Sequence, residues 1–150
     1  MKNTTLLARA VLLFVLSGFI SSAYAEPQML YTHNRIRFLS GGIGHDEVLE
    51  MRKTAKHYSL NLLFSEGKVG RAVTGHTVDI YNAQNEQVFK LKNAKPLLYV
   101  ELPAGNYTLV ANNNGVKLRH QFTLSEHATQ KIILNWKDEV EEDALTEDAQ

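Results

Sequence analysis

The chain of 150 residues contains no cysteine. That excludes disulfides, thiolate metal sites, a thiol nucleophile and a lipidated cysteine behind a leader. Long hydrophobic runs are missing as well. The apolar stretch from Ala10 to Ile20 is 11 residues, well short of the roughly 20 that span a bilayer, and no other segment is long and apolar enough. Phosphate-binding spacings are absent: neither G-x-x-x-x-G-K-[ST] nor G-x-G-x-x-G occurs. No H-E-x-x-H zinc helix and no G-x-S-x-G nucleophile elbow is present, and none of the six histidines has a glutamate three residues later. Scattered serine, histidine and aspartate do not by themselves make a triad, so nothing here supports peptidase activity.

What is present begins with MKNTTLLARAVLLFVLSGFISSAYA. Basic Lys2 and Arg9, the apolar run and the small residues ending in Ala23-Tyr24-Ala25 have the layout of a secretory signal peptide. Cleavage is expected near Ala25, and the shortness of the run argues against a signal anchor. The mature chain from Glu26 is then expected to be periplasmic, with no membrane span after signal removal, and to form one domain. Four regions are expected: a signal peptide 1–25, an N-terminal segment 26–58 with the GGIG loop and a helix over 46–57, a β-sandwich domain 59–137, and an acidic disordered tail 138–150.

The formal net charge of zero conceals an uneven distribution. Seven of the sixteen acids (Asp138, Glu139, Glu141, Glu142, Asp143, Glu147, Asp148) fall in the last thirteen residues, which contain no base. The body from Glu26 to Lys137 carries fourteen bases against nine acids, a net of +5, and the final stretch carries −7. Such a segment is ordinarily solvated; contact with the basic body, or with a basic partner, is the sharper alternative.

Periodicity sets the fold class. Val48, Met51, Ala55 and Tyr58 recur at three and four residues, a short amphipathic helix; Ile36 and Phe38 alternate briefly with Arg35 and Arg37 before it. After Tyr58 the period falls to two: Leu60-Leu62-Phe64, Val78-Ile80, Phe89-Leu91, Leu98-Val100-Leu102, Tyr107-Leu109-Ala111, Val116 to Leu124, and Ile132-Leu134-Trp136. Asn82-Ala83-Gln84-Asn85, Pro103-Ala104-Gly105-Asn106 and Asn112-Asn113-Asn114-Gly115 supply turns between them. The reading is a mainly β protein: a single antiparallel β-sandwich of about seven strands with one short N-terminal amphipathic helix.

The stretch SGGIGHDEVLEM, Ser40 to Met51, is the segment that most resembles chemistry. Asp46 and Glu47 sit in the first helical turn, where they complement the dipole and would repel a phosphate. His45 and His57 are twelve residues apart, about 18 Å along a helix at ~1.5 Å per residue, too far to share an ion; Asp46 and Glu50 could join His45 around one only with help from elsewhere. The segment therefore reads as a helix start, with Gly44 or His45 near the N-cap, and the need for Gly41, Gly42 and Gly44 together is left open. His120 shares the face of Leu118 and Phe122 and is expected near a sandwich edge, with one ring nitrogen hydrogen-bonded. A pH-responsive or ligand-contacting His120 is the alternative. Trp136 and Tyr107 read as core aromatics before a sugar platform. The basic residues are spread along the chain without interleaved aromatics, so no nucleic acid is expected.

Thr77-Val78-Asp79-Ile80-Tyr81, then Leu98-Tyr99-Val100-Glu101-Leu102-Pro103-Ala104-Gly105-Asn106-Tyr107-Thr108-Leu109-Val110-Ala111, and the Gly115 turn carry a resemblance. They resemble the carboxypeptidase regulatory-like domain, a transthyretin-like β-sandwich, over roughly Leu60 to Trp136. The GGxG loop and helix ahead of it look like a group of small exported bacterial proteins of unassigned function. Asn93-Ala94-Lys95-Pro96 departs from the family, where a glycine-bearing turn is common. The resemblance implies an accessory module with no catalytic residues to transfer. The expectation is thus an exported, non-catalytic β-sandwich module that binds an envelope protein, not an enzyme, without catalytic, cofactor-binding or metal residues and without a cofactor. The alternative is a periplasmic binder of a small ligand, carbohydrate or metal, through loops at one end of the sandwich.

Overall fold

A computed structural model describes residues 30–31 and 35–137. The expected signal peptide 1–25 and acidic tail 138–150 lie outside the described residues. The seven strands read from the alternation are all present: β3 (Leu60–Glu66), β5 (His76–Asn82), β6 (Gln87–Ala94), β7 (Leu97–Val100), β8 (Gly105–Asn113), β9 (Val116–Leu124) and β10 (Gln130–Trp136). Three further strands join them: β1 (Leu30–Tyr31), β2 (Arg37–Gly41) and β4 (Arg71–Ala72). One sheet has the order β1-β2-β7-β3-β10 with β4 beside β3, and the other the order β6-β5-β8-β9. All pairs are antiparallel except β3 with β10, which run parallel from Gln130 opposite Leu60 to Trp136 opposite Glu66.

The inward residues of each strand interlock between the sheets. Leu62, Phe64, Val78, Ile80, Phe89, Leu98, Val100 and Leu109 are at most 1% exposed, and together with Trp136, Phe122 and Leu124 they form one core. The period of two is what produces this, since one register step would turn every set outward. The N-terminal segment contributes a strand to the sheet: Phe38 on β2 lies opposite Val100 on β7 and packs edge-on against Phe89, with ring centroids 5.3 Å apart.

A second, smaller core lies on the other side of the larger sheet. There α1 (His45–Thr54) and a 3-10 turn (Ala55–His57) lie over β2 and β7, so Met51 and Tyr58 meet Leu39 and Tyr99. The helix expected over 46–57 is therefore an α-helix that tightens in its last turn, and both faces of β7 are buried. The three glycines ahead of the helix have separate uses. A Cβ on Gly41 would lie 2.6 Å from both the Glu47 carboxylate and the Met51 sulfur, so glycine lets the helix sit down on the sheet. Gly42 (φ 95°) and Gly44 (φ 96°) take the positive φ that glycine tolerates, and Gly42 also lies against Leu97. Gly44 is the N-cap without a side-chain cap. Instead, Glu47 reaches back to accept the Ile43 amide at 2.7 Å, in the manner of the glutamate of a capping box.

Turn chemistry follows the residues. Asn114 (φ 49°) and Gly115 (φ 93°) form the two-residue connection of β8 and β9. At the β6–β7 boundary Asn93 takes a positive φ of 56°, replacing the glycine usual in the resembled family. Tyr107 donates its hydroxyl to the Pro103 carbonyl at 2.9 Å, which accounts for the tyrosine four residues after that proline.

Candidate binding face and clefts

Because Val78 and Ile80 point into the core, Thr77, Asp79 and Tyr81 on β5 point outward, and the register fixes what stands beside them. Lys90, Asp79, Val110 and Arg119 form one row across the four strands. Tyr81, Thr108 and Gln121 form the next, and Thr77, Asn112 and Lys117 a third. Lys92 is exposed on β6, outside the inward Leu91. No described element covers this face. Four bases stand on it against one acid, and Asp79 is already engaged by Lys90 at 3.4 Å and by the Gln87 amide at 2.9 Å.

Toward the β5–β6 turn the face dips into a groove of about 530 Å³, lined by Asn82, Asn85, Asn106, Thr108, Arg119 and Gln121 among others. Asn82 is used locally: its side-chain oxygen accepts the amides of Gln84 (3.0 Å) and Glu86 (2.9 Å). Asn106 accepts from Thr123 at 2.7 Å. These bonds hold the rim rigid and leave Arg119, Gln121 and Asn85 to meet a ligand. The arrangement can hydrogen-bond hydroxyl or carboxylate groups.

Around the corner a second cleft of about 490 Å³ is lined by Lys56, His57, Glu101, Ser125, Glu126 and His127 with neighbouring loop residues. Sequence spacing had paired none of these. His127 has positive φ (59°), and the loop holding it is tied down by Thr129, whose hydroxyl donates to the Tyr58 carbonyl at 3.1 Å. Glu101 is bound by Arg37, and the Ser59 hydroxyl donates to the Leu102 carbonyl and accepts the Leu102 amide, both at 2.8 Å. Imidazole and carboxylate groups thus share one cleft and could move protons there.

The opposite end of the sandwich is dry. His76, 1% exposed, packs against Phe64 (4.1 Å between ring centroids) and Trp136 (5.5 Å). Among the described residues neither of its ring nitrogens has a hydrogen-bond partner. Burial without a partner disfavours the charged ring and lowers its pKa from 6.5 to about 4. Sequence reasoning passed over this histidine, yet its register with Val78 and Ile80 was the available signal.

His45 starts α1 and is exposed, and His57 ends the 3-10 turn, so the structure keeps the two apart. His120 lies on an edge strand, as expected. It is exposed, because β9 is the outer strand of its sheet and only its Phe122–Leu124 end is covered from within. Trp136 and Tyr107 are core aromatics as read. Among the described residues there is no group of three or more histidine, aspartate or glutamate side chains placed to hold a metal, and no helix is long and apolar enough to cross a membrane.

No family model matches the chain, and no curated protein sequence matches it. Among solved structures the chain is similar to 5-hydroxyisourate hydrolase of Klebsiella pneumoniae, with 19% identity and a TM-score of 0.44, over 53% of this chain and 90% of that one. It is also similar to the TIE protein of Bacillus anthracis, with 20% identity and a TM-score of 0.37, over 53% of this chain and 16% of that one. The coarser reading stands: the strands form a mainly β, two-sheet sandwich. The narrower carboxypeptidase regulatory-like membership has no matching family model. The expectation that the chain is not an enzyme is corrected. It rested on the resemblance to an accessory module, which no family model matches, and one structure similar to about half of this chain is that of a hydrolase.

Proposed function

We propose that the chain is an exported module of the bacterial cell envelope that binds an envelope partner through the uncovered face of the four-stranded sheet. The observation that carries this reading is the asymmetry of the two outer faces. The larger sheet has its outer side partly sealed by α1, whereas the smaller one presents Lys90, Lys92, Lys117 and Arg119 around Tyr81 and Thr108. A partner for such a face offers anionic or hydroxyl-bearing groups. The leader-like residues 1–25 support export.

A photo-crosslinking residue in place of Thr108 or Gln121 is expected to trap an envelope component in intact cells, and the same residue at exposed Thr74 to trap none. Protein recovered from the periplasm is expected to begin at Glu26. Trapping from all three positions or from none, or an uncleaved cytoplasmic product, overturns the proposal. A second reading, binding of a carbohydrate in the groove beside this face, is favoured by its amide and hydroxyl lining. Calorimetry with neutral oligosaccharides distinguishes it, because heat that Gln121→Ala abolishes and salt leaves unchanged belongs to the groove alone.

A further inference from the structure

The strand β10 pairs with β3 on one side, and among the described residues no strand lies against its other edge. The phase of the ladder fixes which backbone groups that edge presents. Gln130 donates its amide to the Ser59 carbonyl at 2.8 Å, and the Trp136 carbonyl accepts the Gly67 amide at 2.7 Å, so Gln130, Ile132, Leu134 and Trp136 turn their groups toward β3. Lys131, Ile133 and Asn135 therefore each hold an N–H and a C=O at the open edge. Their side chains stand on the outer side of the larger sheet, where Gly41, Leu97, Leu63 and Ile133 form one row. The row ends in Ile133, which is 56% exposed.

The edges of the smaller sheet are better guarded. β6 carries Lys90 and Lys92 and shifts register twice against β5. β9 carries Lys117 and Arg119, and the Val116 carbonyl at its start already accepts the Trp136 indole N–H at 3.1 Å. β10 runs straight beside β3 with Lys131 as its single base. A regular edge of this kind is a template for another strand.

We propose that β10 pairs antiparallel with β10 of a second copy, about a two-fold axis at Ile133. This register sets Ile133 against its own counterpart and Lys131 against Asn135 of the other copy. All three edge residues are then used on each side, in about six backbone hydrogen bonds. The side chains fit as well. Asn135 spends its amide nitrogen on the Ser65 hydroxyl at 2.9 Å and the Gly67 carbonyl at 3.1 Å, which leaves its side-chain oxygen to accept from the Lys131 ammonium across the axis. Centring the pair on Lys131 instead would oppose two like charges. The apolar row Leu97-Leu63-Ile133 continues into its copy, and the exposed isoleucine is covered. Because the axis closes the edge in both copies, assembly stops at two.

Contact through one strand per copy is small beside the roughly 1,600 Å² of a standard interface, so the dimer is expected in sedimentation of the mature chain at about 0.1 mM rather than at nanomolar concentration. Ile133→Lys places like charges on the axis and is expected to weaken the dimer at least tenfold, with unchanged Trp136 emission showing that the fold is kept. The absence of cysteine makes the register readable by mild oxidation. Ile133→Cys is expected to form a disulfide with its counterpart, since opposed residues of such a pair lie about 5.5 Å apart at Cα. Lys131→Cys alone is expected to form none, its counterpart being displaced by about 14 Å along the strand, whereas a mixture of Lys131→Cys and Asn135→Cys is expected to cross-link. A monomer at the higher concentration, or equal cross-linking of Ile133→Cys and Lys131→Cys, overturns the pairing. Lys117→Glu with Arg119→Glu alters the proposed partner-binding face alone and is expected to leave the dimer intact; its loss in that variant overturns the pairing by placing the second copy on the four-stranded sheet.

Discussion

The two outer faces of this sandwich have opposite fates. On the larger sheet, β7 reads Leu-Leu-Tyr-Val and is buried on both sides, its inner residues in the main core and Tyr99 under Tyr58 and Met51. On the smaller sheet, β9 reads Val-Lys-Leu-Arg-His-Gln-Phe-Thr-Leu and leaves its outer residues to solvent. A continuous apolar run marks a strand with a second layer over it, and alternation marks one without. The difference teaches where to look for a partner: the layer that the chain does not supply for itself.

Substitutions can break that comparison at different depths. The largest effect is expected in the core common to both sheets, where Phe64→Ala removes a ring that is 0% exposed and should cost about 3 to 5 kcal/mol by chemical denaturation. Next comes Met51→Ala, which strips the covered face only, at about 2 to 3 kcal/mol. It is expected to change the tyrosine near-ultraviolet signal of Tyr58 and Tyr99 while Trp136 emission stays native.

Acid should act between these layers and solvent. The folded pKa of His76 lies below its unfolded value of 6.5, at about 4, so the neutral ring is the form the fold prefers. Stability is then complete above pH 6.5 and falls as pH drops toward 4, by about 3 kcal/mol in all. His76→Leu is expected to flatten that stretch of the pH–stability curve, and an unchanged slope would show that other groups cause it. The smallest effect belongs to the bare face: Arg119→Ala should shift stability by no more than about 0.5 kcal/mol, while weakening partner capture. Arg119→Ala costing as much as Met51→Ala would erase the distinction between the faces.

Much of this architecture was legible in the residues. The seven longer strands after Tyr58 follow from the period of two, and Asn114-Gly115 marks its hairpin outright. Short pieces were harder. β4 is two residues, Arg71 and Ala72, too short for any period. The pairing of β2 with β7 depends on contacts some 60 residues apart, which no local pattern encodes. The exposure of His120 was not legible, because alternation shows which face a side chain takes but not how far the opposite sheet extends over it. The candidate face itself was hidden in the same way. Lys90, Lys92, Lys117 and Arg119 are scattered in the sequence, and only the order β6-β5-β8-β9 collects them. The cleft holding His57 and His127 likewise joins residues seventy positions apart.

The parallel pairing of β10 with β3 has a consequence for how the molecule comes into being. Its seven partnered positions join residues 60–66 to residues 130–136, so that side of β3 cannot be closed until nearly the whole chain is available. Non-local closure of this kind slows folding. If the chain is exported unfolded, as proposed, completion of the sandwich waits until its far end has arrived. Before that, Leu62 and Phe64 lie beside an open strand edge, and a chaperone would find its binding surface there.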